Sequence, residues 1–202
     1  MPLTIQIAIF DGFDEIDVFG PFEILSSAGF CVNLASLAGS GMVTSMRGIS
    51  VAVGHRLAPC DGVIVPGGGW LNRAASGAWA EVQRGDLPQR LIELGREVPW
   101  LASVCSGGMV LASAGLFADH AATTNRACFD EFRPLVGELI NERVVDDHDR
   151  ISAGALFSGV DLGLWIVERE LGTEAADRVS SGTEYQRQGR VWRAGQRSAG
   201  LG

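Results

Sequence analysis

Apolar residues along this chain fall into short continuous runs rather than into an alternating pattern. "TIQIAIF" (residues 4–10), "FCVNLAS" (30–36), "DGVIVPGGG" (61–69) and "PWLASV" (99–104) are runs of this kind, and most close on a turn or a glycine-rich stretch. Such runs predict strands buried on both faces, as in parallel sheets. Helical spacing fills the intervals. "DGFDEIDVFGPFEILSSAGF" (11–30) predicts a helix that starts at Gly20-Pro21 and ends at Gly29. "GSGMVTSMRGISVAVGHRL" (39–57), broken by Gly and Ser, predicts short strands or a hairpin. Residues 74–97 predict helix with a break around 85–88, and "GGMVLASAGLF" (107–117) predicts another. "AATT" (121–124) reads as a short strand, followed by a turn and a helix near 128–135. "RVVDD" (143–147) and "RISAG" (150–154) read as strands around a tight turn. "GVDLGLWIVERELG" (159–172) predicts a strongly amphipathic helix, and "TEAADRVSSG" (173–182) a further one. Strands alternating with helices imply a doubly wound α/β sandwich with a mainly parallel sheet covered by helices. One domain is expected over residues 1–186. The Arg-containing segment 187–202 is expected to be a solvated tail or a partner contact.

Composition narrows the chemistry. The net charge of the 202 residues is −8, which argues against a nucleic-acid surface. All 16 basic residues are Arg, so a lysine Schiff base and a P-loop lysine are both excluded. The N-terminus has no basic segment before its apolar run and does not read as a signal peptide. No window offers the 18 or so uninterrupted apolar residues of a membrane span. Cys31, Cys60, Cys105 and Cys128 are too irregularly spaced for a disulfide framework or a zinc site. A reducing cytoplasm is the expected setting.

In a doubly wound fold, sites form at the carboxyl ends of the strands. Three such loops carry unusual residues. Ser103-Val104-Cys105-Ser106-Gly107 has the pattern of a nucleophile elbow, with small residues flanking a sharp strand-to-helix turn. The competing reading is a buried structural cysteine, the role expected of the other three. A thiol at a helix N-terminus is expected to have its pKa lowered. Pro66-Gly67-Gly68-Gly69 is either a plain turn or a backbone cradle whose N–H groups join that of Ser106 around negative charge. Trp70, next in sequence, either walls the pocket or packs in the core. Asp14, Glu15, Asp17 and Glu23 cluster near the first turn. Solvation or helix capping accounts for Asp14 and Glu23, whereas Asp17 sits among Ile16, Val18 and Phe19, which would desolvate it. His55, His120 and His148 have no metal-ligand spacing, and nothing in the sequence sets any of them beside Cys105.

"IAIFDGFDEIDVFGPFEIL", "VIVPGGG", "SVCSGGMVLASAGLFADHAATTN" and "RISAGALFSGVDLGLWIVERELG", occurring in this order, resemble the PfpI/ThiJ superfamily of flavodoxin-like proteins. Within it they look most like the isocyanide (isonitrile) hydratase branch. The resemblance spans roughly residues 4–185. It implies that Cys105 is the nucleophile, that Asp17 is the acid bonded to the thiol, and that Gly68 and Ser106 are backbone donors. Gly69, Trp70 and Asn125 are the further candidates for the oxyanion and substrate site. Ser106 stands where many hydratase-like sequences have Thr. Asn125 stands where they commonly have His, which makes Cys-His hydrolases a poorer guide. The implied activity is cysteine-dependent hydration of a small molecule, most simply an isocyanide to an N-substituted formamide through a thioimidate. It calls for no metal and no organic cofactor. The implied assembly is a stand-alone homodimer with no nucleic-acid or membrane partner. A glyoxalase, deglycase or amidase on the same cysteine, and a non-enzymatic redox or ligand-binding protein, stay open.

Overall fold

In the computed structural model, which describes residues 1–195, the first apolar run forms β1 (Thr4–Ala8), a central strand of the sheet. The remaining strands are β2 (Cys31–Ser36), β3 (Gly41–Thr44), β4 (Ser50–Val53), β5 (His55–Arg56), β6 (Gly62–Val65) and β7 (Leu101–Val104). They continue with β8 (Ala121–Ala122), β9 (Glu138–Leu139), β10 (Val144–Asp147), β11 (Arg150–Ala153) and β12 (Val191–Arg193). The helices are α1 (Glu15–Ser27), α2 (Ala78–Arg84), α3 (Asp86–Leu94), α4 (Gly107–Ser113), α5 (Phe129–Phe132), α6 (Ser158–Leu171) and α7 (Thr173–Gly182).

Eight strands form one sheet in the order β12-β10-β11-β7-β6-β1-β2-β5. All neighbours are parallel except β10 and β11, which pair antiparallel across the turn at His148. Strands β6 and β7 are buried at every position. This is why they read as unbroken apolar runs. Helices α1, α6 and α7 pack together, as do α2, α3 and α4. Beside β1 the chain first steps to β2, then crosses to β6 on the other side. Such a reversal opens a crevice at the carboxyl ends of the strands.

Three details differ from the pattern read along the chain. Helix α1 starts at Glu15, not at Gly20-Pro21; its N-cap is Asp14, whose Oδ1 accepts the Ile16 N–H at 3.0 Å. Gly20 and Pro21 lie inside the helix because they face α6. A Cβ on Gly20 would stand 3.1 Å from Val160, and a Cβ on Gly163 would stand 2.9 Å from Ile24. Two glycines therefore let the helices cross closely, and the missing N–H of Pro21 is the local cost. Helix α6 is less amphipathic than expected, since its residues 161–167 are all buried. Its buried Asp161 is satisfied by Arg143, by the Tyr185 hydroxyl and by the Gln188 N–H.

The segment from 187 onward is not a solvated tail through its first half. Arg187 pairs with Glu168 at 2.6 Å, Arg190 pairs with Glu142 at 3.0 Å, and β12 adds to the sheet edge beside β10. The expectation for residues 196–202 falls outside the described residues. No helix among the described residues is long and apolar enough to cross a membrane.

Candidate active site

The joint between β7 and α4 is an elbow. Cys105 adopts a left-handed backbone conformation, with φ of 54°, which is costly for a residue with a side chain. Its surroundings fix it there. The Cys105 N–H donates to the Gly154 carbonyl at 2.9 Å, and its carbonyl accepts the Thr124 hydroxyl at 2.7 Å. Gly107 permits the turn: a Cβ there would lie 2.0 Å from the Val65 carbonyl oxygen.

The glycine loop after β6 meets this elbow. The Gly67 N–H donates to Asp17 Oδ2 at 2.9 Å, and the Gly68 N–H donates to the Ser106 hydroxyl at 3.0 Å. The Gly67 carbonyl accepts the Asp14 N–H at 2.9 Å, which ties the loop to the start of α1. Gly68 was expected to offer a free donor; Ser106 uses that donor. Among the described residues, no bond partner is seen for the Gly69 N–H.

A cavity of about 300 Å³ opens over the elbow. It brings together Gly68, Gly69, Trp70, Cys105, Ser106 and Asn125, all named from sequence. Asn125 Nδ2 reaches Cys105 Sγ at 3.5 Å. Trp70 is buried, so wall and core packing are the same role; its indole N–H donates to Glu131 at 3.3 Å and its ring packs edge-on against Trp79. Sequence reasoning missed Met46, Leu71 and Leu156, which also line the cavity. Nothing local marks Leu156. Its φ is 45°, and its backbone N–H favours the charged forms of both Cys105 and Asp17. Asp14 was legible as a cap but not as a lining residue.

Asp17 lies behind the thiol and is completely buried. Burial, reinforced by the nearby Asp14 carboxylate, pushes its carboxyl up to about 8. The Cys105 thiol approaches this carboxyl and opposes that rise, in a geometry that leaves Asp17 Oδ1 without a full hydrogen bond. Glu15, a neighbouring acid of the same cluster, is engaged elsewhere. Its burial is outweighed by the Ser45 hydroxyl and Arg47, which hold its carboxyl below the usual range.

The thiol does not behave as its position in sequence suggests. Cys105 is only 6% exposed, and burial followed by the Asp17 charge pushes it up to about 12. Helix α4 spans only seven residues, so its dipole is a small offset. The two groups titrate as a pair, and at neutral pH the resting site holds a thiol beside a protonated carboxyl. The other three cysteines are not uniformly buried either: Cys128 is, Cys60 is half-buried and Cys31 is exposed. All four are free thiols. Brief alkylation at pH 7 should therefore label Cys31 before Cys105, and the Cys105 rate should climb with pH through about 8. Peptide mapping reads both rates; faster labelling of Cys105 at pH 7 would contradict this electrostatic picture.

No histidine is among the residues lining the cavity. His55 is on β5 and His148 in the β10–β11 turn, while His120 pairs with Asp147 at 3.2 Å.

Residues 4–169 match the DJ-1/PfpI family. The chain belongs to that family. The isonitrile hydratase of Pseudomonas putida is 25% identical over 189 residues, covering 92% of this chain and 79% of the relative. A deglycase of Thermococcus kodakarensis is 25% identical over 156 residues, covering 75% of this chain and 89% of the relative. The crystal structure of a ThiJ/PfpI family protein from Pseudomonas syringae superposes with a TM-score of 0.82 at 23% identity, over 93% of this chain and 77% of that one. Membership in this family, together with a strained, cavity-facing cysteine backed by a buried acid, supports a cysteine-dependent enzyme.

Proposed function

We propose that the protein hydrates a small isocyanide to the N-substituted formamide, with Cys105 as nucleophile and Asp17 as proton carrier. The observation that carries this reading is the pairing of Cys105 with a buried carboxylic acid in a cavity lined by no histidine. The similarity to an isonitrile hydratase along most of the chain supports it.

The chemistry follows from the pair. Loss of one proton gives a monoanion that places its proton on either group. The N–H groups of Ser106 and Leu156 and the amide of Asn125 favour charge on sulfur. That tautomer, a thiolate beside a protonated Asp17, is the reactive one. Sulfur attacks the terminal carbon of R–N≡C, and Asp17 protonates the same carbon, giving the thioimidate R–N=CH–S–Cys105. Water then adds across the C=N bond, with its hydroxyl on carbon and a proton on nitrogen; Asp17 accepts and returns protons. Collapse to the carbonyl expels the thiol as R–NH–CHO forms. A further donor near the tetrahedral oxygen would be the Gly69 N–H.

Purified protein mixed with a small alkyl isocyanide should produce formamide, followed by proton NMR, with no turnover by Cys105→Ala. The lower limb of the pH–rate profile should have its midpoint near 8, the value of the pair, rather than about 6.5 as for an ordinary imidazole. Lactate from methylglyoxal in place of formamide would establish the glyoxalase-type reading, which the relation to a deglycase keeps in view. Saturable binding of these compounds without product would indicate a redox or ligand-binding protein.

The same reading makes the protein a homodimer in a reducing cytoplasm. Met42 and Ile49 on the β3–β4 hairpin are large apolar side chains left exposed, as a paired surface would leave them in one subunit. Sedimentation equilibrium should return twice the 21.4 kDa chain mass, and a single-chain mass counts against pairing.

A further inference from the structure

One part of the cavity wall comes from outside the eight-stranded sheet. It is the tip of the β3–β4 hairpin, residues 45–48, which carries Met46 over the opening; Met46 lines the cavity and is 45% exposed. A hairpin tip would ordinarily give way to a substrate, but this one is fastened. The Met46 N–H donates to the Phe13 carbonyl at 2.9 Å, and the Arg47 N–H donates to Glu15 Oε1 at 3.1 Å. The Ser45 hydroxyl also bonds Glu15 Oε1, and the Arg47 guanidinium bridges Glu15 at 2.5 Å and Asp14 at 2.9 Å. One stem lower, the Gly12 N–H donates to the Thr44 carbonyl and the Thr44 N–H to Asp11 Oδ1, both at 2.8 Å. The tip is thus fixed to the first turn of α1, the helix that carries Asp17.

The lining chemistry is one-sided. Met46, Trp70, Leu71, Ala155 and Leu156 are apolar, the neutral polar side chains are Asn72, Ser106 and Asn125, and no cationic side chain is among the lining residues. The one carboxylate, Asp14, is already matched by Arg47, whose side chain is 58% exposed. An anionic substituent would meet the Asp14 carboxylate and only neutral donors, the amides of Asn72 and Asn125 and the Gly69 N–H, with no cation to balance it. A neutral apolar one would meet carbon and a thioether.

We infer that the fastened hairpin tip is the specificity wall of this site: Met46 limits the bulk of the substrate's substituent, and the lining admits neutral apolar groups while rejecting anionic ones. This deepens the hydratase reading, on which its substrate meaning rests. With its backbone pinned, the hairpin tip can yield only through the Met46 side chain, so the volume of that side chain sets the limit at this wall.

The test reads access to Cys105 without isocyanide chemistry. The protein is alkylated at mildly alkaline pH with iodoacetamide, iodoacetate and N-benzyl iodoacetamide, and labelling of Cys105 is quantified by peptide mapping. Exposed Cys31 in the same samples supplies each reagent's intrinsic rate. Relative to Cys31, iodoacetate should label Cys105 about tenfold more slowly than iodoacetamide. Met46→Ala should raise the benzyl-to-plain iodoacetamide ratio at Cys105 about tenfold, and Met46→Phe should lower it. The paired changes keep the test decisive if one variant folds poorly. Equal normalised rates for iodoacetate and iodoacetamide would overturn the charge selection. A benzyl ratio that moves in neither variant would overturn the size limit. Absence of formamide from an isocyanide would remove the hydratase reading yet leave these ratios intact, so the two failures are distinguishable.

Discussion

Asp17→Asn should raise the stability of the protein at pH 8 while removing its turnover. Asp17 is completely buried, and its carboxyl is pushed from 3.8 to about 8 in the fold. In the unfolded chain the same group ionises near its ordinary value. A folded-state pKa above the unfolded one stabilises the fold fully only below the lower value, and that contribution is lost as pH rises through the higher one. Relative to a neutral side chain, Asp17 therefore costs little at pH 4 and below, about 4 kcal/mol at pH 7, and roughly 5–6 kcal/mol above pH 8. Asn keeps an oxygen to accept the Gly67 N–H, so the loop it anchors should remain. The amide cannot carry a proton, and loss of a general acid–base group typically costs about a hundredfold or more in rate. Urea unfolding of both proteins at pH 8 and pH 5 measures the first effect, and formamide production the second. Equal stability of the two at pH 8 would mean that Asp17 ionises like a surface acid, and the proton-carrier role would fall with it.

What was legible in the chain follows from how local each signal is. The parallel sheet announces itself because β6 and β7 are buried on both faces and so read as plain apolar runs. The elbow at Cys105 is legible because a sharp strand-to-helix turn demands small residues at fixed offsets. The desolvation of Asp17 is legible because its flanks are apolar. Failures occur where a distant partner decides. Gly20-Pro21 looks like punctuation until α6 supplies the close contact that needs it. The Arg-containing segment after residue 186 looks solvated until Glu168, Glu142 and β10 supply its partners. The thiol pKa is the sharpest case. Position in sequence places Cys105 at a helix start, which lowers a thiol pKa; burial and Asp17 raise it further than so short a helix can offset. The left-handed backbone at Leu156 has no signature in a leucine codon at all.

Gly107→Ala should cost the protein its site and about 3 kcal/mol or more of its stability. The elbow pattern asks for glycine two residues after Cys105, at the position where the new helix passes the end of the adjacent strand. Here that clearance is gone: a Cβ on Gly107 would stand 2.0 Å from the Val65 carbonyl oxygen and 2.8 Å from that of Pro66. Both obstacles are backbone, so neither can swing aside as a flexible side chain would. Relief requires α4 to move away from β6. That motion would carry Ser106 off the Gly68 N–H, 3.0 Å away, and turn Cys105 out of its hold by the Gly154 carbonyl and Thr124. Overpacking in a rigid interior costs about 1–3 kcal/mol and sometimes more; a clash with backbone on the central strands belongs at the upper end. Gly54 provides the control, since its φ is not left-handed and nothing lies within 4 Å of a Cβ placed there; alanine at that surface position should move stability by no more than about 0.5 kcal/mol. Thermal unfolding of both variants separates the outcomes. A Gly107→Ala protein that melts with the parent and retains turnover would mean that α4 meets β6 less closely than the elbow requires, and that Cys105 is presented by some other geometry.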